Sequence, residues 1–230
     1  MSATVYLIPT VLAEGVTESL PLYIVDAIKK CTVFFAENER TARRFFKSVW
    51  KEMVIDDYRW YNMKTVNNEV AGQFKQAVKQ GATIGIISEA GCPGIADPGQ
   101  QLVNIAQQMG AVVKPLVGPS SILLALMASG MNGQQFQFVG YLPIEAGERM
   151  KNIKQLENDS RNKDCTQIFI ETPYRNNQLL ETLTKTLQPQ TQICVAVDIT
   201  ADTESIQTKT AQQWKMGMPE LHKRPAIFLI

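Results

Sequence analysis

Two loops hold residue types from which a ligand site can be built. Residues 88–99 read SEAGCPGIADPG and residues 117–121 read VGPSS; each follows a short apolar run and opens onto a helix. Gly91-Cys92-Pro93-Gly94 carries more turn chemistry than one chain reversal requires. Glycine lacks a Cβ and lets a ligand come against the backbone, so the loop reads as a ligand wall, the alternative being plain punctuation. Cys92 has no histidine near it in sequence to lower its pKa and reads as a small wall residue rather than a nucleophile. With one histidine in the chain, His222, nucleophile–histidine catalysis has almost no candidates. No GxGxxG follows the first strand, and no GxxxxGK[ST], GxSxG or HExxH occurs. The chemistry is therefore expected from a bound cosubstrate that is already reactive.

These loops need strands and helices to position them. Residues 82–87 and 111–116 are the apolar runs that lead into the two loops, and two such strand-to-helix turns are expected to be neighbours at the carboxyl edge of a parallel sheet. In the first loop Asp97 reads as an N-cap, Pro98 as a first-turn residue, Gln100 as its capping-box partner, and Gly110 as the residue after the helix. Upstream, residues 4–8 form a buried strand ended by Pro9, and Ser19 is expected to cap a helix bearing Pro21, Leu20, Ile24, Val25 and Ile28. A second strand at 32–36 runs into a charged turn and a basic helix, residues 37–47, followed by an aromatic strand or loop at 58–61 and an amphipathic helix at 67–79. This alternation predicts a parallel sheet with right-handed crossovers, and a first α/β domain over 1–116. Residues 117–230 form the second domain. There, strands at 136–140, 166–170, 192–197, 204–208 and 226–230 include several in succession, which predicts a mixed sheet with antiparallel members.

Composition sets the outer limits. The 230 residues are 45% apolar, without a run long enough for a membrane helix. Met1-Ser2-Ala3-Thr4 lacks a basic leader region, so a cytoplasmic location is the expectation. Cys31, Cys92, Cys165 and Cys194 are scattered and form no CxxC pair, which predicts neither a metal site nor disulfides. The net charge of +1 makes no global field, so any nucleic-acid contact must rest on local clusters. Arg40, Arg43, Arg44, Lys47 and Lys51 lie close to one helix face, with Arg59, Trp60 and Tyr61 near in sequence. Such a group suits an RNA backbone and an unstacked base, or else it is a solvated basic face beside half-buried aromatics.

Five stretches, in order along nearly the whole chain, carry a family resemblance. They are Ala36-Glu37-Asn38-Glu39-Arg40 with Arg43-Arg44; residues 88–99; Gly118-Pro119-Ser120; Gly140-Tyr141-Leu142-Pro143 with Gly147-Glu148-Arg149; and Glu171-Thr172-Pro173-Tyr174-Arg175. The chain resembles the tetrapyrrole methylase superfamily of S-adenosylmethionine-dependent methyltransferases, in particular the branch that methylates a cytidine ribose 2′-hydroxyl of small-subunit ribosomal RNA. It departs from the usual pattern where Pro9-Thr10-Val11-Leu12-Ala13-Glu14-Gly15 replaces a Thr-Pro-Ile-Gly-Asn-like turn. It departs again where Asn38, Glu39, Thr41 and Ala42 stand in place of a motif bearing an aspartate and a histidine.

The resemblance implies two α/β domains with a cleft between them, a homodimer, S-adenosylmethionine as the methyl donor and RNA as the acceptor. Donor contacts are implied at Pro9, Gly91, Cys92, Ile95, Ser120, Ser121, Ile170, Ala196, Pro225 and Ala226. Methyl transfer needs in-line positioning more than a nucleophilic side chain. A general base would help a ribose hydroxyl; among Glu37, Glu39, Glu89 and Glu171, the pair Glu37 and Glu171 is favoured because both follow predicted strands. The other reading of each is a capping or salt-bridged carboxylate. Arg40, Arg43, Arg44 and Tyr141 are the acceptor-side candidates, although a strand-end tyrosine is commonly just packed. A tetrapyrrole or other small molecule is the alternative acceptor, and a non-catalytic donor-binding relative the alternative from another class.

Overall fold

A computed structural model describes Ser2–Ile230, and its backbone divides into two compact units, one ending at Ser120 and the other spanning Ser121–Ile230. In the first, the order is β1 (Thr4–Ile8), α1 (Ile24–Lys30), β2 (Val33–Ala36), α2 (Glu39–Val49), β3 (Arg59–Asn62), α3 (Asn68–Lys79), β4 (Thr83–Ile87), α4 (Gly99–Gln108) and β5 (Val112–Pro115). The strands form an all-parallel sheet in the order β3-β2-β4-β1-β5. The period-2 geometry of a strand sends alternate side chains to opposite faces. Phe34, Ile8 and Ile87 therefore pack under α1 and α2 with Ile24, Ile28 and Phe46, while Phe35, Val5 and Ile86 pack under α3 and α4 with Phe74, Leu102 and Ala106.

The sheet order shows how the two loops come to be neighbours. The turns after β4 and β5 do not follow adjacent strands, because β1 lies between them. Strand β1 leads to α1 on one face and its neighbour β4 leads to α4 on the other, so the switch point of this doubly wound sheet falls between Ile8 and Ile87.

Side-chain capping follows sequence chemistry at α2 and α3, whereas α4 starts at Gly99 with Pro98, not Asp97, as its N-cap and with no capping box. Asn38 Oδ1 accepts from the amides of Arg40 (3.1 Å) and Thr41 (3.4 Å) to start α2, and Asn67 Oδ1 accepts from Val70 N (2.9 Å) to start α3. Ser19 does not cap a helix: its hydroxyl donates to Val16 O (3.2 Å), closing a 3-10 turn at Thr17–Ser19, and α1 begins only at Ile24 after a further turn at Pro21.

The second unit contains α5 (Ser121–Ser129), β6 (Phe136–Tyr141), α6 (Ala146–Lys163), β7 (Thr166–Ile170), α7 (Asn176–Thr186), β8 (Gln192–Val197), β9 (Ser205–Thr210), α8 (Ala211–Met216) and β10 (Ala226–Leu229). Its sheet is mixed, in the order β6-β7-β10-β8-β9: β6 and β7 are parallel, and β10 runs antiparallel to both β7 and β8. Phe169 and Phe228 stack side by side within its core.

Two glycines give opposite expectations. A Cβ on Gly85 would sit 2.5 Å from the ring of buried Phe34, so Gly85→Ala should destabilise the protein by about 1–3 kcal/mol through overpacking. Gly72, inside α3 with nothing within 4 Å of its would-be Cβ, should gain about 0.5–1 kcal/mol as Gly72→Ala. Urea unfolding of both variants measures the two signs.

Candidate functional site

Three turns meet at the carboxyl edge of the first sheet. Thr10 N, just past β1, donates to Gly91 O (2.9 Å) in the turn after β4. The turn after β5 closes from the other side: a Cβ on Gly118 would lie 2.1 Å from Pro9 Cβ, so only glycine lets these backbones touch. Gly91 has φ +70°, and its would-be Cβ meets the Leu12 side chain and Pro119 O at 3.1 Å each. The Cys92 thiol lies 3.5 Å from Gly118 O and 3.4 Å from Pro119 O. Burial pushes that thiol above its ordinary range, which suits a wall residue and disfavours a thiolate. The two loops singled out in the sequence thus come together by reaching across β1. Ile95 stands exposed on the same loop, and Ser120 is half-buried at the end of the unit.

Carboxylates fasten these turns. Asp97 accepts from Gly94 N (2.7 Å) and Gly99 N (2.6 Å), holding both the loop and the start of α4. Burial raises its carboxyl above the usual range, and those two amide bonds oppose the rise. Glu37, directly after β2, accepts from Glu89 N (3.0 Å), while the Glu89 carboxylate accepts from Asn38 Nδ2 (2.9 Å). Burial raises the Glu37 carboxyl; the Glu89 amide bond opposes this, the nearby Asp97 and Glu89 charges add to it, and Lys64 works against it.

The basic helix face is partly engaged. Arg43 pairs with Glu39 (2.9 Å) and lies over the Trp60 ring, 5.0 Å from its centroid. Trp60 itself packs against Phe34 and Phe46. Arg44 pairs with Glu14 (3.2 Å), and Lys47 donates to the carbonyls of Lys51 and Met53, closing the end of α2. Arg40 is exposed and has no side-chain partner among the described residues. The two arginine pairs are partly or fully solvent-exposed, and such pairs contribute about 0–1 kcal/mol, so both cations can be drawn to another anion.

In the second unit the strand register gathers four named residues at one rim. Tyr141 lies opposite Ile170, while Ile227 lies opposite both Ile170 and Ala196 and directly follows Ala226. Pro225 O accepts from Asp198 N (3.0 Å) at the same end, and Ser121 is the first residue of α5. Tyr141 is 61% exposed and so projects rather than packs. Glu171 is differently placed: its side chain is 2% exposed and accepts from Thr172 N (2.7 Å) and Arg175 Nη2 (2.6 Å). A buried, paired carboxylate of this kind holds the turn before α7.

Sequence reasoning missed a cavity. About 410 Å³ opens beside the switch point, walled by Val11, Leu12, Ala42 and Phe45 and edged by Thr10, Ser88 and Glu89. No motif announces it, because its lining comes from separated stretches. Among the described residues no cluster of His, Cys, Asp and Glu could hold a metal ion, and no helix is long and apolar enough to cross a membrane.

A doubly wound parallel sheet with a glycine-built rim at its switch point, followed by a mixed-sheet unit, defines a ligand-binding α/β protein of two units. Residues 14–214 match the family described as Tetrapyrrole (Corrin/Porphyrin) Methylases, and the chain belongs to that family. It is similar to Ribosomal RNA small subunit methyltransferase I of Micromonospora olivasterospora, 30% identical over 186 residues, which are 81% of this chain and 56% of the relative. The namesake from Bacillus subtilis is 29% identical over 182 residues, 79% and 59% of the two chains. The chain thus spans rather more than half the length of these curated relatives. Among solved structures, the methyltransferase CobJ aligns with TM-score 0.63 at 18% identity, over 99% of this chain and 92% of that one. Uroporphyrin-III C-methyltransferase of Thermus thermophilus, solved with S-adenosylhomocysteine, aligns with TM-score 0.60 at 15% identity, over 99% and 96%. At such identities the likeness speaks for the fold.

Glu37 carries a pH prediction. Its carboxyl is harder to ionise folded than unfolded, so the charge penalises the folded state. The penalty is absent below the unfolded carboxylate range and fully present above the folded value. Glu37→Gln keeps an oxygen for the Glu89 amide and removes the penalty. The stability of the wild type relative to this variant should therefore fall as pH rises through the carboxylate range, read as the difference in melting temperature across a pH series.

Proposed function

We propose that this chain is an S-adenosylmethionine-dependent methyltransferase that acts on RNA, at a ribose 2′-hydroxyl of ribosomal RNA. The observation that carries the reading is the backbone junction of three turns, where Gly118 lies against Pro9 and Gly91 against Pro119 and Leu12. The residues fit a sulfonium donor: the turns offer apolar walls and main-chain partners for its polar edges, with carbonyl oxygens at Gly118 and Pro119 suited to lie near a cation. Pro9, Gly91, Cys92, Ile95, Ser120 and Ser121 are the proposed donor contacts, with Ile170, Ala196, Pro225 and Ala226 from the rim of the second sheet. When bound, the donor supplies an electrophilic methyl group.

The chain's own part is to orient the acceptor hydroxyl and to take its proton. Glu37 is the proposed base, since its raised carboxyl sits at the rim, while Glu171 is held by Arg175 and serves the turn instead. Arg40, Arg43, Arg44 and Tyr141 are the proposed RNA contacts. The names of the relatives support RNA over a tetrapyrrole, and a cytoplasmic homodimer belongs to the same proposal.

Calorimetry should give S-adenosylhomocysteine binding to the wild type. Gly91→Ala, which forces a side chain into a left-handed conformation at a cost of about 1–2 kcal/mol, should weaken that binding by about tenfold. Mass mapping of ribosomal RNA from cells with and without the protein should show one ribose methyl lost in its absence. Donor binding with no change in RNA would point to a small-molecule acceptor, and no donor binding would remove the methyltransferase reading.

A further inference from the structure

The cavity beside the switch point is not lined by the proposed donor contacts. We propose that it receives one unstacked nucleobase of the acceptor RNA, read at its edge by Thr10 and Glu89; this rests on the RNA methyltransferase reading. The cavity's volume, about 410 Å³, is of the size that holds small ligands. Val11, Leu12, Ala42 and Phe45 supply apolar walls for the faces of a flat ring.

Thr10 and Glu89 are among the polar residues on its wall. Thr10 is a residue of the cavity wall, 3% exposed, and its buried hydroxyl has no hydrogen-bond partner among the described residues. Buried hydroxyls are ordinarily paired, so this one calls for a ligand atom. Glu89, a residue of the cavity wall, uses one carboxylate oxygen on Asn38 Nδ2 and its amide on Glu37, which leaves its second oxygen as an acceptor. A carboxylate is a good partner for the exocyclic amine of a base and a poor one for a carbonyl, so cytosine and adenine are favoured over uracil.

The mouth carries a charge pair suited to a nucleotide's phosphate. Arg44 and Glu14 both line the cavity and both are largely exposed, at 61% and 85% of their side-chain surface. A phosphate arriving with the base replaces Glu14 on Arg44, because the exposed pair is weak and guanidinium binds phosphate with two parallel hydrogen bonds. Thr10 follows β1 and Ser88 follows β4, so a base seated here brings its ribose out at the rim where Glu37 stands.

The test uses the full chain, fluorescently labelled short oligonucleotides of cytidine, adenosine or uridine, and calorimetry with S-adenosylhomocysteine. Ser48→Phe fills the cavity from an exposed helix position, Thr10→Val removes the hydroxyl at nearly constant shape, and Glu89→Gln turns an acceptor pair into an amide. The expected result is that the wild type prefers cytidine and adenosine over uridine, Ser48→Phe and Thr10→Val weaken oligonucleotide binding by about tenfold, and Glu89→Gln loses the preference. Binding of S-adenosylhomocysteine should stay within about twofold in Ser48→Phe and Thr10→Val, a difference small beside the tenfold step. Unchanged oligonucleotide binding in Ser48→Phe and Thr10→Val would overturn the inference, as would loss of S-adenosylhomocysteine binding instead, which would give the cavity to the donor. A wild type that binds neither S-adenosylhomocysteine nor any oligonucleotide would remove the broader reading, a result distinct from variants that behave like a competent parent.

Discussion

The contact between Gly118 and the Pro9 ring is the constraint on which the rim of the first sheet depends. Any side chain at 118 would occupy the space of the proline ring. With that contact made, the turn after β5 reaches over β1 to the turn after β4, where its carbonyls at Gly118 and Pro119 lie against the Cys92 thiol. Sheet order makes the contact possible, since β1 lies between β4 and β5 and its own turn becomes the bridge. A site assembled from backbone is indifferent to many side-chain changes and intolerant of a few added carbons.

Carboxylates that follow the strands of both sheets act first as fasteners. Asp97 holds two loop amides, Glu37 holds the amide of Glu89, and Glu171 holds Thr172 and Arg175 in the second unit. What separates them chemically is their surroundings. Burial, with two other acids nearby, keeps the proton affinity of Glu37 high against the pull of Lys64, whereas Glu171 is locked against a guanidinium. Two glutamates that look alike in sequence, each directly after a strand, are thereby given different capacities.

Much of this was legible in the chain itself. Apolar runs at 4–8, 33–36 and 83–87 and the helices between them follow from hydrophobic period, and the two rim loops stand out by their glycines and prolines. The start of α1 was not legible, because Ser19 has the right chemistry for a cap but satisfies Val16 instead. Sheet order was hidden too, since an apolar strand carries no mark of its neighbours, and so the role of Pro9 as the bridge between two distant turns could not be read. The cavity escaped for a related reason: Thr10, Phe45 and Glu89 come from three elements and share no spacing, and the unpartnered hydroxyl of Thr10 exists only in three dimensions. Of the two readings open for the aromatic group at 58–61, Trp60 follows the half-buried one, packed between Phe34, Phe46 and Arg43.

The position of β10 has a consequence for how the polypeptide matures. This strand, residues 226–229, lies in the middle of the second sheet between β7 and β8, so until it is in place those two strands have exposed ladder edges and no shared hydrogen bonds. The strands of the first sheet all lie before residue 116, so that sheet can pair while the ribosome is still making the remainder. The second must wait for its keystone, with β7, β8 and β9 open to pairing with other chains in the interval. Removing residues 226–229 would therefore split a sheet in two rather than trim an edge.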